Sequence, residues 1–168
     1  MAKRWIFHPP HSHLAELAAS LGTGPLLAQV LANRGLTTVR ACRDFLDSGY
    51  ETLHRPEQLP GLPRAAERIV EAIRNHEKVA VYADYDVDGL TAAAILYQCL
   101  ELAGIRPTVY VPHRIEEGYG LNCEAIEKLA ADGHRLIITV DCGVTSVTEA
   151  ARAKALGIDL IITDHHEP

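Results

Sequence analysis

The sequence predicts an α/β protein, a parallel sheet of βα units preceded by a small helical N-terminal region. Three observations carry that prediction. From Arg64 onward, short aliphatic runs alternate with longer stretches of helical periodicity, the pattern of strands joined by helical crossovers. Residues 1–63 carry no strand signal. The composition, 48% hydrophobic but only 5% aromatic, describes an interior built from Ala, Leu, Ile and Val. A chain of 168 residues is long enough for one sizeable core and a modest appendage.

In the first region, helical patterns fall near 14–20, 25–33 and 38–47. Pro25 suits the first turn of the second helix, and Thr37 and Thr38 are candidate caps for the third. Arg55–Pro63 contains three prolines and reads as a linker. Residues 1–63 are therefore expected to form a helical arm, packed on the main domain or on something beyond it. The domain at 64–168 begins with a helix near 64–76. Strand Val79–Ala83 follows, then a helix from Leu90 to about Leu102 and strand Thr108–Val111. A long loop through Gly118-Tyr119-Gly120 leads to a helix from about Cys123 to Ala131. Strand Leu136–Val140, helix Thr145–Leu156 and strand Leu160–Thr163 complete the order. LeuIleIleThr recurs at 136–139 and 160–163, as expected of two equivalent buried strands rather than of a solenoid.

Several function classes are disfavoured. The apolar runs are of strand length, so no membrane span is expected. The N-terminus has two early positive charges but no continuing apolar core, unlike a secretory leader. Cys42, Cys99, Cys123 and Cys142 are scattered without metal-site spacing and read as reduced thiols in a cytoplasmic protein. A net charge of −6 argues against a dedicated basic nucleic-acid module, although an enzyme with a local basic groove remains compatible with it.

The chemistry concentrates at strand ends. Val79–Ala83 runs into Asp84, Asp86 and Asp88; alternate positions of an extended segment share one side, so these carboxylates are expected to converge. Close carboxylates repel unless a cation or proton lies between them. Asp and Gly after a strand also serve turns and helix caps. Yet the third strand ends in Asp141, and the fourth in Asp164, His165 and His166. All strands of a parallel sheet end at one edge, where ligands bind, and that convergence outweighs local turn chemistry. Carboxylates suit Mg²⁺ or Mn²⁺, and imidazole shifts the preference towards Mn²⁺. The set is large enough for two ions, which points to metal-assisted hydrolysis of a phosphate ester or anhydride.

Other residues admit two readings each. His165 and His166 are adjacent, so in an extended segment they face opposite sides and at most one is a direct ligand. The other either approaches the substrate phosphate or serves as a cap. Arg114 belongs at the same edge, where it suits a bidentate grip on phosphate or a surface ion pair with Glu116 or Glu117. Gly89 and Gly143 are expected to begin helices, either as anion-facing amides or as turn formers. His8, His11 and His13 resemble a metal tract but, beside Pro9-Pro10, read as a solvated tail.

AspTyrAspValAspGly at 84–89, ValAspCysGly at 140–143 and ThrAspHisHis at 163–166 resemble, in order, the first three motifs of the DHH phosphoesterase superfamily. ArgIleGluGluGlyTyrGlyLeu at 114–121 is similar to the segment between motifs in its RecJ exonuclease family. AlaGlnValLeuAlaAsnArgGlyLeu at 28–36, with AspPheLeu at 44–46, resembles that family's N-terminal helical region. The resemblance implies Asp86, Asp88, Asp141 and His165 as metal ligands, with Asp84 as ligand or close support. It implies that Asp164 orients the histidines, that His166 faces the scissile phosphate, and that Arg114 holds the substrate. The implied activity is 5′→3′ hydrolysis of single-stranded DNA with Mn²⁺ or Mg²⁺, as two ions in the complete protein, in recombination and repair. The implied partners are single-stranded DNA, a single-strand-binding protein and a helicase.

Members of that family continue with a fourth, acidic motif and a second domain that closes the substrate groove. The 64–168 domain is therefore expected to be truncated after the third motif and inactive alone, its partner being the missing C-terminal domain. Two alternatives remain. One is a superfamily member acting on short oligonucleotides, cyclic dinucleotides or pyrophosphate, which the N-terminal helical region disfavours. The other is an inactive binding or scaffold relative, disfavoured by the intact acids.

Overall fold

The computed structural model describes Arg4 and residues 6–167. The chain divides into two compact units, residues 1–58 and 59–168. In the first, helices α1 (Leu14–Leu21), α2 (Pro25–Asn33) and α3 (Val39–Leu46) enclose a small core of Leu17, Ala18, Ala28, Leu31 and Cys42. Gly22, at φ 65°, ends α1; Pro25 opens α2; the Thr38 hydroxyl accepts the Ala41 N–H to cap α3. Single 3₁₀ turns follow at Tyr50–Thr52 and Pro56–Gln58, the second of them inside the Arg55–Pro63 segment expected to be a linker. His8 and His13 of the histidine tract are exposed, as expected of a solvated segment, but its backbone is held. Gln29 of α2 accepts the His11 N–H at 3.0 Å and donates to the Pro9 carbonyl, which pins the segment despite its two prolines. His13 lies 3.5 Å from Glu16.

The second unit opens with α4 (Leu62–Arg74), then β1 (Lys78–Ala83), α5 (Val87–Leu102), β2 (Thr108–Tyr110), α6 (Cys123–Ala131), β3 (His134–Val140), α7 (Val147–Ala155) and β4 (Asp159–Thr163). The strands form one sheet in the order β2-β1-β3-β4, and every pair is parallel. The expected fold class is therefore the observed one. Alternation of side chains divides the core between two faces. Val79, Val81 and Ala83 of β1 join Leu136, Ile138 and Val140 of β3 on one side, with Ala72, Ala93 and Leu100 of α4 and α5. Ala80, Tyr82 and Ile137 face the other side, with Ile126 and Leu129 of α6 and Ala153 of α7. Central strands covered on both faces read as unbroken aliphatic runs, which is why they were legible. Each fully buried Ile or Leu contributes about 1.5–3 kcal/mol. Arg68 ties α4 to the sheet through Glu77 at 2.7 Å and Asp159 at 2.6 Å.

The register places Ala83 opposite Val140 and Val140 opposite Thr163, so β1, β3 and β4 end in step. From β1 the chain crosses to β2 on one side, then returns to β3 on the other. The reversal makes the crevice between the carboxyl ends of β1 and β3 the natural ligand position. Asp84 and Asp141 flank it.

Candidate metal centre

Asp84 follows β1, is only 4% exposed, and donates its backbone N–H to the Val140 carbonyl across the crevice. Burial pushes its carboxyl up from the usual range, and the charges of Asp86 and Asp141 add to the effect. Asp86 is the N-cap of α5: its Oδ1 accepts the Gly89 N–H at 3.0 Å. The capping sequence starts the helix at Val87, three residues before the expected Leu90. Asp88 therefore sits in the first helical turn, not in an extended segment. Alternation does not bring it beside Asp84 and Asp86; it is exposed and lines the neighbouring cleft.

Asp141 arrives from β3 in the left-handed conformation, with φ 64°. A non-glycine residue there is costly and persists only where its surroundings enforce it. Here its N–H is held by the Thr163 carbonyl at 2.9 Å. Thr139, fully buried, donates its hydroxyl to the Cys142 carbonyl and accepts the Thr163 N–H. The turn thus aims the Asp141 carboxylate into the crevice. Gly143, at φ 110°, lies four residues before α7 rather than starting it, and a Cβ there would fall 2.7 Å from Leu121 Cδ1. The Gly89 N–H is already spent on Asp86, so neither glycine offers an anion-binding helix start.

After β4 the chain turns, and the two histidines do not diverge. Asp164 Oδ2 accepts the Val144 N–H, and Oδ1 accepts the His166 N–H at 3.1 Å and lies 2.7 Å from His166 Nδ1. The loop closed in this way brings the two imidazoles to the same side, with centroids 4.6 Å apart. The opposite-sides expectation fails because extended alternation ends at Thr163. Burial of Asp164 opposes its charge, but the Val144 and His166 donors prevail and hold its carboxyl below the usual range. The hydrogen bond to Asp164 raises the His166 imidazole.

Two groups of donor atoms lie within 4.8 Å of one another: Asp84, Asp86 and Asp141, and Asp141 with His165 and His166. Asp141 joins the two. Its Oδ1 is buried without a hydrogen-bond partner among the described residues; His165 Nε2 is 2.9 Å away but is not directed as a hydrogen bond. An orphaned carboxylate oxygen among three acids and two imidazoles fits a hard divalent cation. A cleft of about 1,090 Å³ opens beside the centre, lined by Asp88, Asp141, Asp164 and His165 and by Arg64, Arg68 and Ile95.

Arg114 makes neither expected ion pair. Its guanidinium lies 5.2 Å from the centroid of Tyr85, a contact worth about 0.5–1 kcal/mol at an exposed site. Sequence reasoning missed Tyr85 in this role. It also missed Tyr119, whose hydroxyl lies 3.4 Å from the Asp141 carbonyl and 3.3 Å from His166 Nδ1. The flanking Gly118 and Gly120, both at positive φ, were the available sign of a shaped turn. Burial raises the Tyr119 phenol to about 12, so it remains a neutral donor.

Residues 78–168, more than half of the chain, match the family described as DHH family, N-terminal domain. The single-stranded-DNA-specific exonuclease RecJ of Bacillus subtilis is 40% identical over 166 residues, covering 98% of this chain and 21% of that protein. RecJ of Thermus thermophilus is 38% identical over 168 residues, covering 98% and 24%. The crystal structure of Thermus thermophilus RecJ in complex with Mn²⁺ matches with a TM-score of 0.71 at 32% identity, over 95% of this chain and 22% of that one. A manganese-bound exonuclease RecJ structure matches with a TM-score of 0.62 at 41% identity, over 66% and 28%. The chain spans between 21% and 26% of the length of the curated relatives it matches. With a parallel sheet that carries acids and histidines at one edge, and with more than half of its length matching the family, the chain belongs to the DHH family.

Proposed function

We propose that the chain is the N-terminal, metal-holding part of a 5′→3′ exonuclease for single-stranded DNA, acting in the cytoplasm in recombination and repair. The observation that carries this reading is that Asp141, one of whose carboxylate oxygens is buried without a hydrogen-bond partner among the described residues, belongs both to a group with Asp84 and Asp86 and to one with His165 and His166. Likeness to RecJ along nearly the whole chain supports the substrate.

In this reading Asp86, Asp141 and His165 hold Mn²⁺ or Mg²⁺, with Asp84 as ligand or support and Asp88 facing the same cleft. Two ions are proposed for the complete protein. Bound there, divalent cations supply positive charge that favours attack of water on a phosphodiester. The residues supply the rest. Buried Asp164 commits both carboxylate oxygens to the turn, fixing His166 with Nδ1–H towards the acid. His166 Nε2 is then the nitrogen left to meet the phosphate or leaving oxygen, and its raised affinity for a proton suits donation to that oxygen. Arg114, stacked on Tyr85, grips a phosphate of the strand. A single-strand-binding protein, a helicase and a C-terminal domain of the same polypeptide are proposed partners.

The test is degradation of 3′-labelled, 5′-phosphorylated single-stranded DNA with Mn²⁺, by this chain and by a form continued with its native downstream sequence. Shortening from the 5′ end by the continued form supports the reading. Cleavage of a dinucleotide but not of long strands transfers the chain to the small-substrate class, and no cleavage of either overturns the hydrolase.

A further inference from the structure

The loop between β2 and α6 carries Arg114 and Tyr119 to the carboxyl edge of the sheet, and it is held from beneath by one acid. Glu117 Oε1 accepts the Tyr110 hydroxyl at 2.5 Å and the Asn122 amide at 3.2 Å, while Oε2 accepts the His113 N–H at 2.7 Å. Each partner is itself anchored. Tyr110 stacks on the fully buried Tyr82, centroids 5.1 Å apart. Asn122 donates also to the Tyr82 hydroxyl and caps α6 through the Ala125 N–H at 2.7 Å. The Tyr82 hydroxyl donates to the Gly120 carbonyl. Beyond the network, buried Leu121 packs against Gly143 and Tyr119 reaches His166.

We propose that Glu117 is a positioning residue, the keystone that fixes the 112–122 loop as a rigid arm and presents Arg114 to the substrate phosphate. The substrate half of this inference rests on the nuclease reading above; the rigid arm does not. Glu117 touches no group that the reaction needs, and its three donors come from the base of the loop. Only a carboxylate can serve them all as acceptor. Glutamine at this position turns an NH₂ against either the His113 N–H or the Asn122 amide. The His113 N–H, then Tyr110, hold the Glu117 carboxyl below its usual range, in keeping with a carboxylate that works ionised.

Two measurements separate the halves. In the 168-residue chain, Glu117→Gln is expected to speed cleavage after Arg114 by an arginine-specific protease about tenfold, the loss of roughly one charge-assisted hydrogen bond from the closed loop. Cleavage after Arg152 in α7 serves as internal reference and stays within about twofold. Tyr110→Phe, which keeps the stacked ring, is expected to act in the same direction. An unchanged rate at Arg114, or an equal rise at Arg152, overturns the rigid arm. In the DNA-degrading continued form, Glu117→Gln is expected to lower kcat/KM about tenfold, and to change it less than twofold when Arg114 is already alanine. A full additional tenfold loss in the Arg114→Ala background overturns the assignment of Glu117 to Arg114. If the continued form degrades no DNA, the nuclease reading fails while the protease result still decides the arm.

Discussion

Gly89→Ala should damage both the fold and the metal centre, although alanine is the better helix former. A Cβ on Gly89 would fall 2.5 Å from the Asp84 carbonyl oxygen and 2.8 Å from the Asp84 carbonyl carbon and nitrogen. These are backbone atoms, so no side chain can swing aside. Alanine gains about 1 kcal/mol of helix propensity over glycine; forcing a methylene into a filled space costs about 1–3 kcal/mol, and more when backbone must move. The upper end applies here, because Asp86 caps the helix through the same Gly89 amide and relaxation would break that bond. The net loss is about 2 kcal/mol, or a fall of roughly 4–8 °C in Tm for a chain of this size. Near-ultraviolet circular dichroism of the stacked Tyr82 and Tyr110 follows melting of this unit. Mn²⁺ affinity should fall as well, since the displaced atoms carry Asp84. An alanine variant as stable as the parent, with equal Mn²⁺ affinity, would refute the close-approach reasoning.

Further outcomes follow from the same geometry. Asp86→Asn keeps an equally good helix cap and removes one of three crowded charges, so the metal-free protein should be no less stable in urea unfolding while calorimetry detects weaker Mn²⁺ binding. Asp86→Ala and His165→Ala should each abolish DNA degradation by the continued form and leave far-ultraviolet circular dichroism unchanged; residual cleavage by either variant would remove that residue from the centre. Asp164→Asn frees His166 and should cost about 10–100-fold in metal affinity or activity, read by Mn²⁺ titration and kcat. The Glu117 carboxyl titrates below its usual 4.5, so its contribution to loop order is present above that value and lost as pH falls through the lowered one. Protease cleavage after Arg114, measured with an acid-tolerant enzyme, should rise across that acidic window and stay flat towards neutrality.

The sheet and its acid-bearing edge were legible because β1 and β3 are buried on both faces and end in acids at the same register. The details that failed share one cause: local rules cease to apply where the backbone leaves a strand. Asp86 serves as a helix cap as well as a donor, which moves Asp88 onto a helix and away from the trio. Asp164 closes a turn, which brings His165 and His166 together. The Glu117 network was hidden because Tyr82 and Tyr110 meet only when β1 and β2 pair. Nothing in the spacing of 82, 110, 117 and 122 announces that meeting. Arg114 was placed at the correct edge, but its stacking on Tyr85 depends on a loop path that sequence does not encode locally.

The proposed function rests on a divalent-metal centre organised around Asp141 at the carboxyl edge of the sheet. Electron paramagnetic resonance of Mn²⁺ titrated into the 168-residue chain tests it most directly, because the signal of free Mn²⁺ falls when the ion is bound. Saturable loss of that signal is expected in the parent, abolished by Asp141→Asn with the fold retained. Equal free Mn²⁺ in parent and variant at every protein concentration would contradict it.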